Sequence, residues 1–218
     1  VDESSSRTGE YSKRNDDKPF ELPVPLLEGI DLSKLNYVQS ADVIYFVHPQ
    51  MQPWRLERHG ALSWAYQPLE FLVDEGWELP FSEGNYPSCV RIYEDRLWFA
   101  ATPKEPLNVW GSRTADFLDF RINTATDTTD PPLATDAVFL RLNGSRVNPI
   151  MWMLDMEQLV VGTNASEIRI MDSGVDAPLT PETARHTRQS SYVSTTVQAI
   201  LLGASALFVS RTGKLGYS

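Results

Sequence analysis

The segment from Cys89 to Phe120 constrains the fold more than any other part of the chain, because it reads as three short strands in direct succession. Residues 90–93 alternate in polarity, and a turn follows at 94–95. A second apolar run covers residues 97–101, and a loop with two prolines leads to a third run at 107–110. Short aromatic and β-branched runs separated by Gly, Pro and Asp are typical of antiparallel strands. This segment therefore predicts a three-stranded meander.

The same order of strand, turn and strand recurs around four anchor residues. These are Asp42, Asp95, Glu157 and Ser205, which are 53, 62 and 48 residues apart. Units of this length with several strands each are typical of β-propeller blades. A β-sandwich also places short strands at regular intervals, so it stays open as the alternative. We predict an all-β fold of propeller-like antiparallel meander blades with little helix.

Two regions of different composition divide the chain. Residues 1–18 are almost entirely polar and predict a mobile arm or an insertion loop. We expect residues 19–218 to be the β-propeller portion of a longer chain, since the sequence shows neither an initiator Met nor the apolar core of a signal peptide. Asp31 is expected to cap one helical turn, and residues 183–189 suit either a polar strand or the continuation of a short helix.

Charge and composition exclude several classes of protein. The formal net charge is −10, which argues against a protein that grips nucleic acid, because phosphate binding depends on Lys and Arg. A single cysteine, Cys89, excludes an intramolecular disulfide framework, and its apolar neighbours predict an inert core thiol. No apolar run approaches the roughly 18 residues of a transmembrane helix, so we predict no membrane span.

Residue patterns for catalysis or metal binding are weak throughout. The three histidines, His48, His59 and His186, have no Cys or carboxylate at the spacing of zinc ligands. Asp116 and Asp119 would suit the acid pair of a glycosidase, but with 29 acidic residues a chance pair is expected. The sequence has no nucleophile elbow, phosphate loop or dinucleotide fingerprint. We therefore predict no catalytic residue, no cofactor and no metal site.

Several stretches resemble one known family in order along the chain. The matching residues are Tyr37-Val38-Gln39-Ser40-Ala41-Asp42-Val43-Ile44-Tyr45, Val47-His48-Pro49, Gly84-Asn85-Tyr86-Pro87, Arg96-Leu97-Trp98-Phe99-Ala100, Val109-Trp110-Gly111-Ser112-Arg113 with Asp116-Phe117, Arg188-Gln189-Ser190-Ser191-Tyr192 and Leu215-Gly216-Tyr217-Ser218. The chain is similar, in these stretches, to the tail nozzle proteins of short-tailed bacteriophages, also called tail tubular protein B or tail stabilisation protein. It departs at Val193, where relatives often have Gly, and in the acidic connector 123–136.

The resemblance implies a non-enzymatic structural subunit of a phage tail. It implies a homo-hexameric nozzle ring below the portal, in contact with the tail adaptor and with tail fibre or spike proteins. Genomic DNA would pass through this ring during ejection without being gripped, and an acidic wall agrees with such passage. The implied location is the virion tail, after assembly in the cytoplasm of the host bacterium. In the central motif we expect Trp110 to pack between blades and Arg113 to pair with Asp116.

Two rival functions stay open. A host-facing propeller could bind a glycan or a protein through loops 74–88 and 123–136, with Trp77 and Tyr86 as candidate contact residues. A glycosidase on a propeller scaffold is the weaker rival. Ring assembly would also need apolar surface between subunits. The candidates for that surface are Trp54, Trp77, Trp98 and Trp110, and core packing is the alternative role for each.

Overall fold

A computed structural model describes residues 9–11, 22, 29–124, 130–142, 148–172 and 178–217. This part of the chain is almost entirely β-structure, as predicted, and its one helical element is the 3-10 turn Leu32–Lys34. The Asp31 carboxylate accepts a hydrogen bond from the Ser33 amide at the start of that turn, which confirms the predicted cap. No helix within these residues is long and apolar enough to cross a membrane.

Sixteen strands of the described chain form four antiparallel sheets. The first sheet contains β1 (Gly9–Tyr11), β2 (Asn36–Ser40), β3 (Val43–His48), β4 (Met51–Gly60) and β5 (Ser63–Pro68). The second contains β6 (Cys89–Tyr93), β7 (Arg96–Ala100), β8 (Asn108–Gly111) and β9 (Val138–Arg141). The third contains β10 (Ile150–Asp155), β11 (Leu159–Thr163), β12 (Glu167–Asp172) and β13 (Ala184–Ser190). The fourth contains β14 (Ile200–Leu202), β15 (Ser205–Val209) and β16 (Leu215–Tyr217).

Each sheet is a meander in chain order, apart from β1, which pairs with the far strand β5. The four anchor residues fall at one equivalent place, the hairpin between the first two strands of the meander. The hairpin at Glu94 and Asp95 shows why the turn residues were informative. Both have positive φ, and Tyr93 pairs with Arg96, so the two residues form a tight loop that suits the twist of the strands.

The sheets stack face to face in the order of the sequence. One buried cluster joins the first and second sheets, the next joins the second and third, and a further one joins the third and fourth. Alternation along β7 shows how one strand serves two clusters. Leu97 and Phe99 belong to the cluster with the first sheet, whereas Trp98 belongs to the cluster with the third. The continuous apolar run is therefore the mark of a strand covered on both faces.

The layering resembles that of successive propeller blades. A two-layer sandwich buries one face of each sheet, but here both faces of the second and third sheets are covered. The first strands of successive sheets also lie together, since β2 contacts β6 and β6 contacts β10. A sandwich with more than two layers would share the stacking.

Glycines opposite aromatic rings repeat in three of the sheets. The register pairs Trp98 with Gly111, Trp152 with Gly162, and Phe208 with Gly216. A Cβ added to Gly111 would lie 2.8 Å from the Trp98 ring, and one added to Gly216 would lie 2.5 Å from the Phe208 ring. In each pair the ring covers the glycine across the strands, which is a known way to stabilise a glycine within a sheet.

The structure allows several further predictions from the sequence to be compared with the observed fold. Within the predicted polar arm, Gly9–Tyr11 forms the edge strand β1, and the rest of residues 1–18 lies outside the described residues. Of residues 183–189, left open between strand and helix, residues 184–189 belong to strand β13 and Thr183 lies in the turn before it. Trp110 packs in the cluster between the first and second sheets, as predicted. Trp54 and Trp98 are also buried, so these two tryptophans serve core packing rather than an exposed interface, whereas Trp77 is only partly buried.

Candidate functional site

A hydrogen-bonded network links the four sheets at their inner edge, where the first strands meet. The Asn36 amide donates to Gln198 Oε1 at 2.8 Å, and its Oδ1 accepts from the Val90 amide at 2.9 Å. Gln198 Nε2 in turn donates to the Met153 carbonyl at 2.9 Å. Asn36, Val90 and Met153 lie on β2, β6 and β10, and Gln198 shortly precedes β14. Two amide side chains therefore tie together the inner edges of all four sheets.

Arg91 is the charged member of this inner edge. It is only 9% exposed, and its Nε donates to the Met153 carbonyl at 2.9 Å. Its Nη1 donates to the Tyr37 and Val90 carbonyls, each at 3.0 Å. Burial lowers the pKa of the Arg91 guanidinium, although an arginine keeps its proton at neutral pH. Carbonyl dipoles of three sheets thus hold the charge, and they fix the angle at which those sheets meet.

A second buried arginine joins the second sheet to its own loops and to the segment that precedes β13. Arg96 is fully buried and donates to the carbonyls of Ser112, Ala134 and Asp136 at 2.8, 2.7 and 2.6 Å. Ser112 Oγ accepts a hydrogen bond from the Leu97 backbone amide at 3.0 Å, which joins β7 to the residue that follows β8. Ser112 is one of the signature residues, a name used here for the residues that carry the resemblance described above. Arg96 and Ser112 have a structural role, since the hydrogen bonds that the Arg96 Nη1 and Nη2 atoms donate all end on backbone carbonyls within the chain.

The expected ion pair between Arg113 and Asp116 is wrong. Arg113 binds the buried carboxylates of Asp119 at 3.1 Å and Asp136 at 3.2 Å, and Asp119 also binds Arg121 at 2.5 Å. Asp116 meets Arg113 only as a backbone bridge, and its carboxylate accepts from the Leu118 amide. A turn between residues 113 and 116 aligns their backbones, which leaves the long guanidinium free to reach acids further along the chain.

The two buried acids have depressed pKa values for a shared reason. Burial alone would raise the pKa of Asp119, but hydrogen bonds from Arg121 and Arg113 outweigh it and hold the pKa below its usual range. Burial opposes ionisation of Asp136 as well, and hydrogen bonds from Thr124 and Leu133 together with the Arg113 charge lower its pKa. Asp119 is therefore engaged as a structural anion, and it is not placed as a free acid next to Asp116.

Signature residues of the first sheet lie at its turns. The Gln39 amide donates to the Ala41 carbonyl at 2.9 Å, and Ser40 ends β2 beside that turn. Asp42 forms an exposed ion pair with Arg58 at 3.1 Å. His48 is fully buried at the end of β3, where its Nε2 lies 3.2 Å from the Asp31 carbonyl. Burial lowers the pKa of His48, so this ring is neutral at pH 7 and serves the fold.

Signature residues of the third sheet lie where β13 ends. Ser190 Oγ donates to Glu167 at 2.6 Å and accepts from the Tyr192 amide at 3.2 Å. Gln189 and Ser191 are exposed, and Ser191 accepts from Arg188 at 2.9 Å. The structure thus places the signature residues at separate turns and strand ends. It does not gather them into one site.

Groups that often carry chemistry are engaged or isolated in this structure. Burial raises the pKa of the Cys89 thiol to about 12, which agrees with the predicted inert thiol. Among the residues that the structure describes, no group of three or more His, Cys, Asp or Glu is placed to hold a metal ion. The pair Asn143-Gly144 is of a type that predicts a two-residue hairpin, and it lies outside the described residues.

Sequence reasoning missed the inner-edge residues Asn36, Arg91 and Gln198. Each is a polar residue within or next to an apolar run, which is the one signal that would have marked it as buried and hydrogen-bonded. No family model matches the chain, and no curated protein is significantly similar to it.

Proposed function

We propose that this chain is a non-enzymatic wall subunit of a phage tail nozzle, through which DNA is ejected. The observation that carries the proposal is the stack of four meander sheets, which hydrogen bonds join at one inner edge among β2, β6, β10 and the segment just before β14. A stack of this kind resists bending, because every sheet is fixed to the next by a buried cluster and by the inner-edge network. Such rigidity suits a wall.

The ordered sequence islands support the choice of a tail nozzle over other rigid propellers. Several of the island residues occupy turns or strand ends and are buried or hydrogen-bonded within the chain, such as Ser112 beside Arg96 and His48 at the end of β3. Motifs with this role specify a fold rather than a reaction. The net charge of −10 supports the same function, since it disfavours tight binding to the phosphates of passing DNA.

The proposed homo-hexameric ring needs apolar surface, and the fourth sheet carries some. Ile200, Leu202 and Leu215 are more than half exposed, although they belong to regular strands. Leu202 and Leu215 are the most exposed of them, at 65% and 69%. In the ring this face would lie against a neighbouring subunit, and the tail adaptor and the fibre or spike proteins would bind elsewhere on the assembly.

Labelling of virions tests the location. Gold-labelled antibodies against this chain should bind the tail of short-tailed phage particles, and negative-stain images of the isolated protein should show six-fold rings. Leu202→Glu with Leu215→Glu should abolish the rings while far-UV circular dichroism stays unchanged, because both side chains are exposed within the subunit. The exposed-site control is Val197→Glu, outside the strands of that sheet. Unlabelled virions would refute the tail location.

A further inference from the structure

A cleft of about 490 Å³ lies over the later strands of the second sheet, next to the 74–88 loop. Its volume falls within the range of small-ligand sites, roughly 300–1,000 Å³. Six of its lining residues carry chemistry suited to recognition: Trp77, Glu78, Glu105, Asn108, Phe139 and Arg141. A wall subunit has no need of this cleft, so the inference does not depend on the proposed nozzle function.

Several polar side chains of the cleft have no partner among the residues that the structure describes. Glu105 Oε2 is shielded from solvent and has no hydrogen-bond partner. Within the described residues, no hydrogen bond or ion pair engages the side-chain amide of Asn108, the carboxylate of Glu78 or the guanidinium of Arg141. A shielded carboxylate oxygen without a donor is costly unless something supplies one. The side chains of Glu78, Asn108 and Arg141 are therefore available to a ligand that offers both donors and acceptors.

An aromatic wall stands beside these polar groups. Trp77 is half-buried, and its ring meets the Phe139 ring edge-on with centroids 4.8 Å apart. This contact fixes the indole, so its apolar surface is presented to the cleft without loss of side-chain entropy on binding. The indole Nε1 forms no hydrogen bond with any described residue. Trp77 thus combines an apolar platform with a free donor.

The loops that frame the cleft are held in place before any ligand binds. Asn85 is 2% exposed, and its side chain donates to the Pro80 carbonyl at 2.6 Å and accepts from the Lys104 amide at 2.8 Å. The backbone amide of Glu105 donates to Thr102 Oγ1 at 3.0 Å, and the backbone amide of Asn108 donates to the backbone carbonyl of Glu105 at 3.2 Å. A preorganised cleft binds with a small ordering cost.

We propose that this cleft binds a neutral oligosaccharide. Sugar hydroxyls both donate and accept, so they match a mixed set of carboxylate, amide and guanidinium groups. The apolar C–H face of a pyranose ring matches the Trp77 indole. Two carboxylates against one guanidinium, on a chain of net charge −10, disfavour phosphates and acidic sugars.

An adjoining cleft extends the site beyond a single sugar ring. It has a volume of about 390 Å³ and is lined by Glu78, Gln52 and Tyr86 among others, so Glu78 is common to both clefts. A linear oligosaccharide that stacks one ring on Trp77 can place its next ring past Glu78. This geometry favours a chain of sugars over a free monosaccharide.

Binding of defined trisaccharides tests the inference. Maltotriose, cellotriose and chitotriose are titrated into the full chain, and binding is followed by saturation-transfer NMR and tryptophan fluorescence. At least one should bind at millimolar concentration, and Arg141→Ala or Trp77→Ala should weaken that binding about 10-fold or more, a loss that corresponds to roughly 1.4 kcal/mol. Tyr192→Ala is the matched control, because Tyr192 is an exposed aromatic residue outside both clefts.

Glu105→Gln separates a binding role from a structural one. The substitution keeps the shape of the side chain but removes a shielded, unpartnered carboxylate oxygen. We expect binding to fall about 10-fold while the melting temperature stays equal or rises, a combination that a purely structural residue would not show. The inference is overturned if none of the three sugars binds, if Arg141→Ala and Trp77→Ala bind as the unmodified chain does, or if a sulfated trisaccharide binds more tightly.

Discussion

The second and fourth sheets are built from similar apolar strands but lie in different surroundings. All five residues of β7 are buried, whereas all three residues of β14 are exposed. The second sheet is covered on both faces by its neighbours, and the fourth is covered on the face that meets Trp152 and Val160. An apolar strand is therefore not evidence of its own burial, because the neighbouring layer decides whether the side chains leave water.

The same contrast extends to the polar groups. In the second sheet, Arg96, Asp119 and Asp136 are buried and paired with several partners each. Polar contacts around the fourth sheet, such as the 3.3 Å bond between Arg211 and Asn164, are exposed. Buried and multiply bonded groups contribute more to stability than exposed pairs do, so the free energy of unfolding should depend mainly on the second sheet.

The largest expected effect is at the centre of the second sheet. Trp98→Ala should lower the free energy of unfolding by about 4 kcal/mol, because it removes a fully buried indole and leaves a cavity beside Gly111. Leu202→Ala on the fourth sheet should change it by less than about 0.5 kcal/mol. Urea denaturation followed by tryptophan fluorescence measures both. If Trp98→Ala does not fold, Trp98→Phe gives the milder comparison. Equal losses at the two positions would contradict the difference between the sheets.

A somewhat smaller effect is expected from the buried acid of the same sheet. Asp119→Asn should cost about 3 kcal/mol, because it leaves Arg113 and Arg121 without their shared anion. The matched control is Asp42→Asn, which breaks the exposed Asp42–Arg58 pair and should cost less than about 1 kcal/mol. Chemical denaturation at neutral pH distinguishes the two. A loss at Asp119 as small as the loss at Asp42 would show that the buried network adds little.

Acid should weaken the second sheet through these two carboxyls. Their pKa values are depressed in the folded protein, so their contribution is complete above the unfolded value of 3.8 and is lost as the pH falls through the folded values below it. The urea midpoint measured from about pH 6 to about pH 2.5 should therefore drop below pH 4. In Asp119→Asn with Asp136→Asn this drop should be smaller. Burial of His48 produces a separate loss that begins near its unfolded value of 6.5.

The sequence predicted the strands well because strand patterns are local. The four anchors marked four equivalent hairpins, and the turn at Glu94 and Asp95 was found from its residue types. Trp110 lies in the cluster between the first and second sheets, and that expectation came from the motif of the resembling family rather than from periodicity. Local periodicity and turn chemistry were sufficient for this part of the fold.

Partner choice among polar residues could not be predicted in the same way. Arg113 was assigned to Asp116, three residues away, but it pairs with Asp119 and with Asp136 across a connector. Likewise, nothing local indicates that Asn36 meets Gln198, because 162 residues separate them. The oligosaccharide cleft has the same origin, since Trp77, Glu105 and Arg141 come together only when the loops fold over the second sheet. Contacts of this kind depend on the tertiary arrangement.

The smallest expected effect is the difference between two glycine substitutions, one in the second sheet and one in the fourth. At Gly111 a new Cβ would lie 2.8 Å from the Trp98 ring, which cannot move because both faces of its sheet are covered. Gly203, in the β14–β15 turn, has open space around it, and its cost comes only from a φ of +62°. We expect Gly111→Ala to cost about 2 kcal/mol through overpacking and Gly203→Ala about 1 kcal/mol through backbone strain. Thermal and urea denaturation of both variants measure a difference of about 1 kcal/mol. A larger cost for Gly203→Ala than for Gly111→Ala would mean that the second sheet can relax around Trp98. The position of the second sheet between two layers would then not make that sheet rigid.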